Sequence, residues 1–397
     1  MTGEVPGDNP DLFAQRRDAL LRLARDHGAD SAAIFGFGSA LGAGSASHGA
    51  LRFFSGWDGH ESLSLLLVTP AGARLLLGSP FMLPLALESR PDLVVEYVPP
   101  LDWGTALAAR LPGASLATVG FGELPRQVDA ALTRDGVAIG LALDEAAARL
   151  RLAKDAHAIA LHREAAALCD VLFGRLGGEL ARRLPAWEVQ LNLETEARRQ
   201  GADYCRTWLT VAPAADYPRY WPAEARRVPE PGDQVLFGVA LTVDGHWGHG
   251  IRMGGIGPQK AEHHELAGHV EAMLEAGLSA LRPGLPLGGA EQAMEAVLAG
   301  RVDAQDRRRL RRFRNGHGLG FSYEEPLTTG VFRQHFDPGA PPAATSDLAL
   351  APGMILELHP NLFVPDLGGA ALGEMVLVTP AGPECLLHHP RVCQSWD

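Results

Sequence analysis

Lysine is nearly missing from this chain: only Lys154 and Lys260 occur among 397 residues, and every other basic side chain is arginine. Neither follows the glycine-rich run that a phosphate-cradling loop needs, and only these two could form an imine with a carbonyl substrate, so nucleotide hydrolysis and Schiff-base chemistry are disfavoured. Cysteine is scarce as well. Cys169, Cys205, Cys385 and Cys393 are widely spaced and contain no C-x-x-C pair, which argues against a zinc knuckle or a dithiol redox motif and for a reducing, cytoplasmic setting. No apolar run approaches the ~18 residues of a membrane span, and the N-terminal stretch offers Thr2, Glu4, Asp8, Asn9 and Asp11 where an export signal needs a basic segment and an apolar core. Membrane association is therefore not expected. Positive charge is also in deficit, with 35 basic against 47 acidic residues and a net charge of -12, which repels a phosphate backbone. Nucleic acid is excluded as the main partner.

What remains is the composition of a globular protein, 46% hydrophobic and 21% charged. At about 150 residues per domain the length allows two or three domains. Between residues 11 and 26, Leu12, Phe13, Ala19, Leu20 and Leu23 recur at helical spacing among arginines and aspartates. Apolar runs bounded by turn residues follow at Ser31–Phe37, Leu63–Val68, Arg74–Gly78, Leu93–Val98 and Leu116–Gly122, and read as strands, with Thr69-Pro70-Ala71-Gly72 as a hairpin turn. Strands alternating with helical stretches make residues 1–150 an α/β domain. From Asp144 to Leu176 the chain is rich in alanine, leucine, arginine and glutamate without proline, which predicts one long connecting helix. Residues 151–397 then interleave helical stretches (Ala186–Gln200, Lys260–Leu281, Ala290–Leu298) with strands (Thr207–Ala212, Gln234–Val243, His246–Ile251, Met354–His359, Glu374–Thr379), an α+β pattern. Asp244-Gly245 between two apolar runs predicts a type I′ hairpin.

Several familiar motifs fail on spacing. No G-x-S-x-G occurs, and Gly36, Gly38 and Gly42 miss the dinucleotide-binding register by one residue. His263, His264, Glu265 and His269 suggest a zinc-protease helix, but His264 and His269 stand one residue too far apart and fall about 140° around the helix from each other. These side chains read as a solvated helical face.

Four segments carry more information: Pro231-Gly232-Asp233 leading into Val235-Leu236 and the Asp244-Gly245 pair; Gly316-His317-Gly318-Leu319-Gly320; Gly353-Met354-Ile355-Leu356-Glu357-Leu358-His359-Pro360; and Gly368-Gly369 followed by Glu374 to Thr379 and Gly382. Their order and spacing resemble the superfamily of creatinase, aminopeptidase P and methionine aminopeptidase. Phe53-Phe54-Ser55-Gly56-Trp57 with the following strand resembles its N-terminal domain, and Arg149 to Ala165 resembles the helix joining the two domains. The resemblance implies a creatinase-type N-terminal α/β domain over 1–150 and a pita-bread α+β catalytic domain over 151–397. It also implies a metal site in a cleft and, commonly, a homodimer.

The chain departs from the superfamily at the site itself. Members hold two divalent metals with two aspartates, one histidine and two glutamates. Here the first aspartate position holds Gly238, the second His249, the glutamate before proline His359, and the last glutamate position Gly373, while the motif histidine is kept as His317. Glu374 is one residue off and joins the site only if a bulge shifts its register. The three positions that bind one of the two metals therefore read His249, His317 and His359, and those serving the other are lost. Imidazole suits zinc, iron, copper or nickel, so one divalent transition metal is expected, Fe(II) ahead of Zn(II). Histidines that bind no metal are the plainer alternative.

The histidines that would assist peptide hydrolysis are also missing. One aligns with the stretch containing Tyr220 and Trp221, which could wall the pocket, and another with Glu324, followed by Glu325; both glutamates are candidates for acid–base work. Glu357, two residues before His359 on a strand, should face the same side and could orient a ligand or form a salt bridge. His246, three residues from His249, should face away. Arg252 aligns with a superfamily arginine and could bind a substrate carboxylate or simply pack. Together these losses favour a non-peptidase: a non-haem iron oxidoreductase acting on a small polar, carboxylate-bearing substrate. A creatinase-like C–N hydrolase or lyase and a non-catalytic pita-bread binding module are the alternatives.

Overall fold

Buried on both faces, the strands of the first sheet can be apolar at every position, and this explains the near-continuous hydrophobic runs that mark them in the sequence. A computed structural model describes residues 10–111, 115–137, 139–214, 226–329, 331–332 and 348–396. They divide into two compact units, one running to Leu152 and including Gly320–Leu327, the other comprising Ala153–Leu319 and the chain from Thr328 onward.

In the first unit, β1 (Ser31–Phe37), β2 (Leu63–Thr69), β3 (Gly72–Leu77), β4 (Val94–Tyr97), β5 (Leu116–Val119) and β6 (Ile139–Ala142) form a mixed sheet in the order β4-β3-β2-β1-β5-β6. Ile34, Leu66, Leu75 and Leu77 point to one core with Leu20, Leu51 and Phe54 from the helices Pro10–Asp26 and Ala46–Ser55. Phe35, Leu65, Leu67 and Leu76 point to the other, against Trp103, Leu107 and Leu132. This is the α/β architecture expected.

The long helix expected from Asp144 is two helices, Asp144–Arg149 and Ala156–Ala181. Propensity favoured continuity, but the intervening backbone is recruited elsewhere: Ala153 bridges Met354, Lys154 N–H donates to the Gly353 carbonyl at 2.9 Å, and the Asp155 carboxylate accepts from Ala158 N–H at 2.9 Å as the N-cap of the second helix.

In the second unit, β7 (Tyr204–Ala212), β8 (Gln234–Val243), β9 (His246–Ile256) and β16 (Gln394–Trp396) form one sheet, ordered β16-β9-β8-β7. A second is ordered β10-β11-β14-β15, from β10 (Gly316–Gly318), β11 (Ile355–Leu358), β14 (Glu374–Thr379) and β15 (Gly382–Cys385). β12 (Asn361–Val364) and β13 (Gly368–Ala371) make a separate pair. The two larger sheets touch where Gly373 N–H donates to the Ile251 carbonyl at 2.9 Å. Helix Ala156–Ala181 covers one face of β8 and β9. It approaches closely because Gly248 has no side chain; a Cβ there would lie 2.8 Å from the Ala165 backbone.

Candidate metal centre

The β8–β9 turn aims the first histidine. Asp244 and Gly245 have φ of 43° and 70°, the left-handed pair of a type I′ turn, which sets Val243 opposite His246 and Ala240 opposite His249. Strand alternation turns Gly248 and Gly250 toward the helix, so His249 faces the other way. On β10, His317 is paired directly with Glu357 of β11. Gly316 lets these strands close, since a Cβ there would come within 2.6 Å of the Glu357 carbonyl oxygen. His359 follows β11 on the same face as Glu357; its N–H donates to the Asn315 carbonyl at 2.8 Å, and its carbonyl accepts from the Asn361 amide at 2.9 Å.

The result is one buried group. His249, His317, Glu357 and His359 each offer a ligand atom, and these atoms lie within 4.8 Å of one another. The rings are 5.5 Å (249 to 317), 6.0 Å (249 to 359) and 5.2 Å (317 to 359) apart between centroids. Glu357 Oε1 is 2.7 Å from His249 Nδ1, its Oε2 is 3.6 Å from His317 Nε2, and Oε2 also contacts His359 Nδ1. His317 Nδ1 lies 3.0 Å from the Gly318 carbonyl; a proton donated there leaves Nε2 as the lone-pair nitrogen turned into the group.

The electrostatics follow from burial. Desolvation pushes the Glu357 carboxyl up, but the His249 and His359 imidazoles outweigh it and hold the group well below the usual carboxylate range. Burial drives His317 well below its ordinary value, only partly offset by Glu357, so its ring is neutral near pH 7. Glu357 Oε1 is close to His249 yet not reached along a hydrogen-bond direction, and the buried His359 Nε2 has no hydrogen-bond partner among the described residues. Four buried ligand atoms converging on one point, with the His359 Nε2 unpartnered among the described residues, are what a cation would satisfy. The set therefore fits a divalent ion of the kind imidazole prefers.

Other expected site residues stand elsewhere. Arg252, three residues beyond His249, faces the helix side, is 0% exposed, and donates to the Gly373 and His389 carbonyls at 2.6 and 2.8 Å with Glu374 3.5 Å away. Glu374 is paired with Leu358 without a bulge, so it points away from the histidines. His246 also faces away, its ring 5.2 Å from that of His162. Glu324 and Glu325 belong to the first unit and are not part of the four-residue group; Glu325 is buried 3.7 Å from Arg151. Tyr220 and Trp221 lie outside the described residues. His263 is buried rather than solvated, its Nε2 3.0 Å from the Gly369 carbonyl. Two aromatic neighbours were not foreseen: half-buried Trp208, 5.9 Å from the His249 ring, and half-buried Phe313, 5.5 Å from that of His359. Trp208 pairs with Gly238, and a glycine inside an apolar strand was the available signal of something large opposite it.

Residues 160–380 match the model of metallopeptidase family M24. The chain belongs to this family. Among curated relatives, a putative dipeptidase of Bacillus subtilis is 27% identical over 62% of this chain and 64% of its own length. The agropine synthesis cyclase of Rhizobium rhizogenes is 26% identical over 59% of this chain and 58% of its own. The chain thus spans less than two thirds of either relative. The crystallised Xaa-Pro dipeptidase of Bacillus anthracis superposes with a TM-score of 0.75 at 18% identity, covering 96% of this chain and 99% of that one. The fold is the pita-bread arrangement with its N-terminal α/β domain, and members of the family bind divalent metal ions. The expected non-peptidase iron oxidoreductase is overturned: the family is one of metallopeptidases, and most of the matched relatives bear peptidase or dipeptidase names. Missing carboxylate ligands do not remove hydrolytic chemistry, because three imidazoles serve a hydrolytic ion equally well. Among the described residues no helix is long and apolar enough to cross a membrane.

Proposed function

We propose that this protein is a metal-dependent hydrolase that opens a C–N bond in a small polar substrate, with short peptides as the first class to examine. The convergence of His249, His317, Glu357 and His359 carries this reading. Family membership and the dipeptidase names of relatives support the reaction class. A divalent ion held by these residues, with Zn(II) and Fe(II) as candidates, supplies Lewis acidity that polarises a carbonyl and makes water nucleophilic near neutral pH. The chain does the rest. Neutral His317 offers its Nε2 lone pair, Glu357 brings the negative charge that offsets a cation, and the rings of Trp208 and Phe313 border the histidines with apolar surface that excludes bulk water.

The test uses chelator-treated full-length protein reloaded with Zn(II), Fe(II) or Mn(II) and assayed for amino-acid release from Xaa-Pro dipeptides, other dipeptides and N-acyl amino acids. Cleavage after Zn(II) or Fe(II) loading, reduced at least ~100-fold in His317→Ala, is the expected outcome. Cleavage of no amide in any metal form overturns it. A second reading, intramolecular acyl transfer that closes a ring, is supported by the cyclase among the relatives and by the missing carboxylates at Gly238 and Gly373. Mass spectrometry separates the two: hydrolysis adds a water to the substrate, and ring closure loses a small leaving group without adding one.

A further inference from the structure

We propose that Glu357 is the fourth donor of the metal centre and that the group takes a single ion per chain, the space for further ligands being filled by Glu357 itself and by Trp208. This inference rests on the metal-binding reading of the site. Two glycines carry it. A Cβ at Gly373 would lie 2.3 Å from Glu357 Oε1, and a Cβ at Gly238 would lie 3.1 Å from Trp208 Cε3. A side chain at 373 would meet both this carboxylate and the Ile251 backbone nitrogen, 2.6 Å from the same Cβ, and one at 238 would press on the Trp208 ring. Gly238, on β8, stands opposite Ile251, and Gly373, just before β14, is bridged to the same residue. The volume beside the histidines that these two positions would otherwise supply with ligands is occupied.

The position of the carboxylate within the group assigns its role. His317 engages the Gly318 carbonyl through Nδ1, so Nε2 is the nitrogen turned inward, and it faces Glu357 Oε2. His249 and His359 also present ring nitrogens to that carboxylate. An ion reached by all three imidazoles is reached by Glu357 too. Charge agrees with geometry. Glu357 is 0% exposed, and the ionisable side chains found beside it among the described residues are those three histidines. A buried carboxylate without a compensating cation costs several kcal/mol, and a dication supplies the compensation.

The experiment is a zinc titration of the chelator-stripped full-length chain by calorimetry, with bound metal counted by mass spectrometry. One zinc per chain is expected. Glu357→Gln, which keeps the shape but removes the charge and turns one acceptor oxygen into an NH2 donor, should weaken binding ~10–100-fold. Glu357→Asp, which keeps the carboxylate on a shorter side chain, should retain more of the affinity than Glu357→Gln. Two zinc ions per chain, or equal affinity in wild type and Glu357→Gln, overturns the inference and leaves the metal reading standing. Absence of zinc binding by the wild type overturns the metal reading itself. If Glu357→Gln does not fold, the wild-type stoichiometry and Glu357→Asp decide.

Discussion

Glu374 stores a pH dependence outside the histidine group. Buried beside Arg252, with one oxygen accepting from Leu387 N–H at 3.1 Å, its carboxyl is pushed up to about 7 by desolvation, only partly offset by Arg252. The folded value exceeds the ordinary one of 4.5, so the folded state holds the proton more tightly than the unfolded chain. Its stabilising contribution is complete below about pH 4.5 and is lost as pH rises through about 7, a change of roughly 3 kcal/mol. Glu374→Gln should flatten the decline in denaturant stability measured from pH 5 to 8; identical slopes for variant and wild type would refute this. Single residues were unevenly legible in the sequence. The three histidines could be read because each sits at a fixed offset from a glycine or proline that shapes its turn. For Arg252 the choice between substrate binding and packing was not legible, because alignment gives a position but not a face, and strand alternation turns it to the helix. Glu357 was read as sharing a face with His359, yet its place amid all three rings depends on how β10, β11 and β9 meet, which no local pattern encodes.

Among elements, the contact between β9 and helix Ala156–Ala181 is the least tolerant. The Ala165 backbone at Gly248 cannot move aside as a flexible side chain would, so Gly248→Val should destabilise the fold by about 1–3 kcal/mol or more, read as a lowered Tm. An unchanged Tm would mean that the helix stands farther from the strand than described. Most strands were legible: Ser31–Phe37, Gln234–Val243 and Glu374–Thr379 run as their apolar patterns indicate. The break between Arg149 and Ala156 was not, because a cap at Asp155 and a bridge from Ala153 to Met354 outweigh the helix propensity of the segment, and the bridge lies some two hundred residues away in sequence.

For the whole molecule, an ion bound in one of two compact units stabilises that unit and not the other by direct linkage. At roughly a hundredfold excess of zinc over Kd the gain is about 2.7 kcal/mol. Calorimetric melting of metal-loaded and chelated protein should therefore show one transition rising by several degrees and another holding still; two transitions that shift equally would contradict independent melting. The α/β and α+β division was visible from element order alone, and the pita-bread arrangement from four spaced motifs. The reaction class was not, since residues that vanish from a site do not state what the remaining ones still accomplish. The crowding around Gly373 also bears on ancestry. A side chain arriving at 373 must displace the Ile251 backbone as well as the Glu357 carboxylate, so its entry calls for adjustment in two separate segments at once.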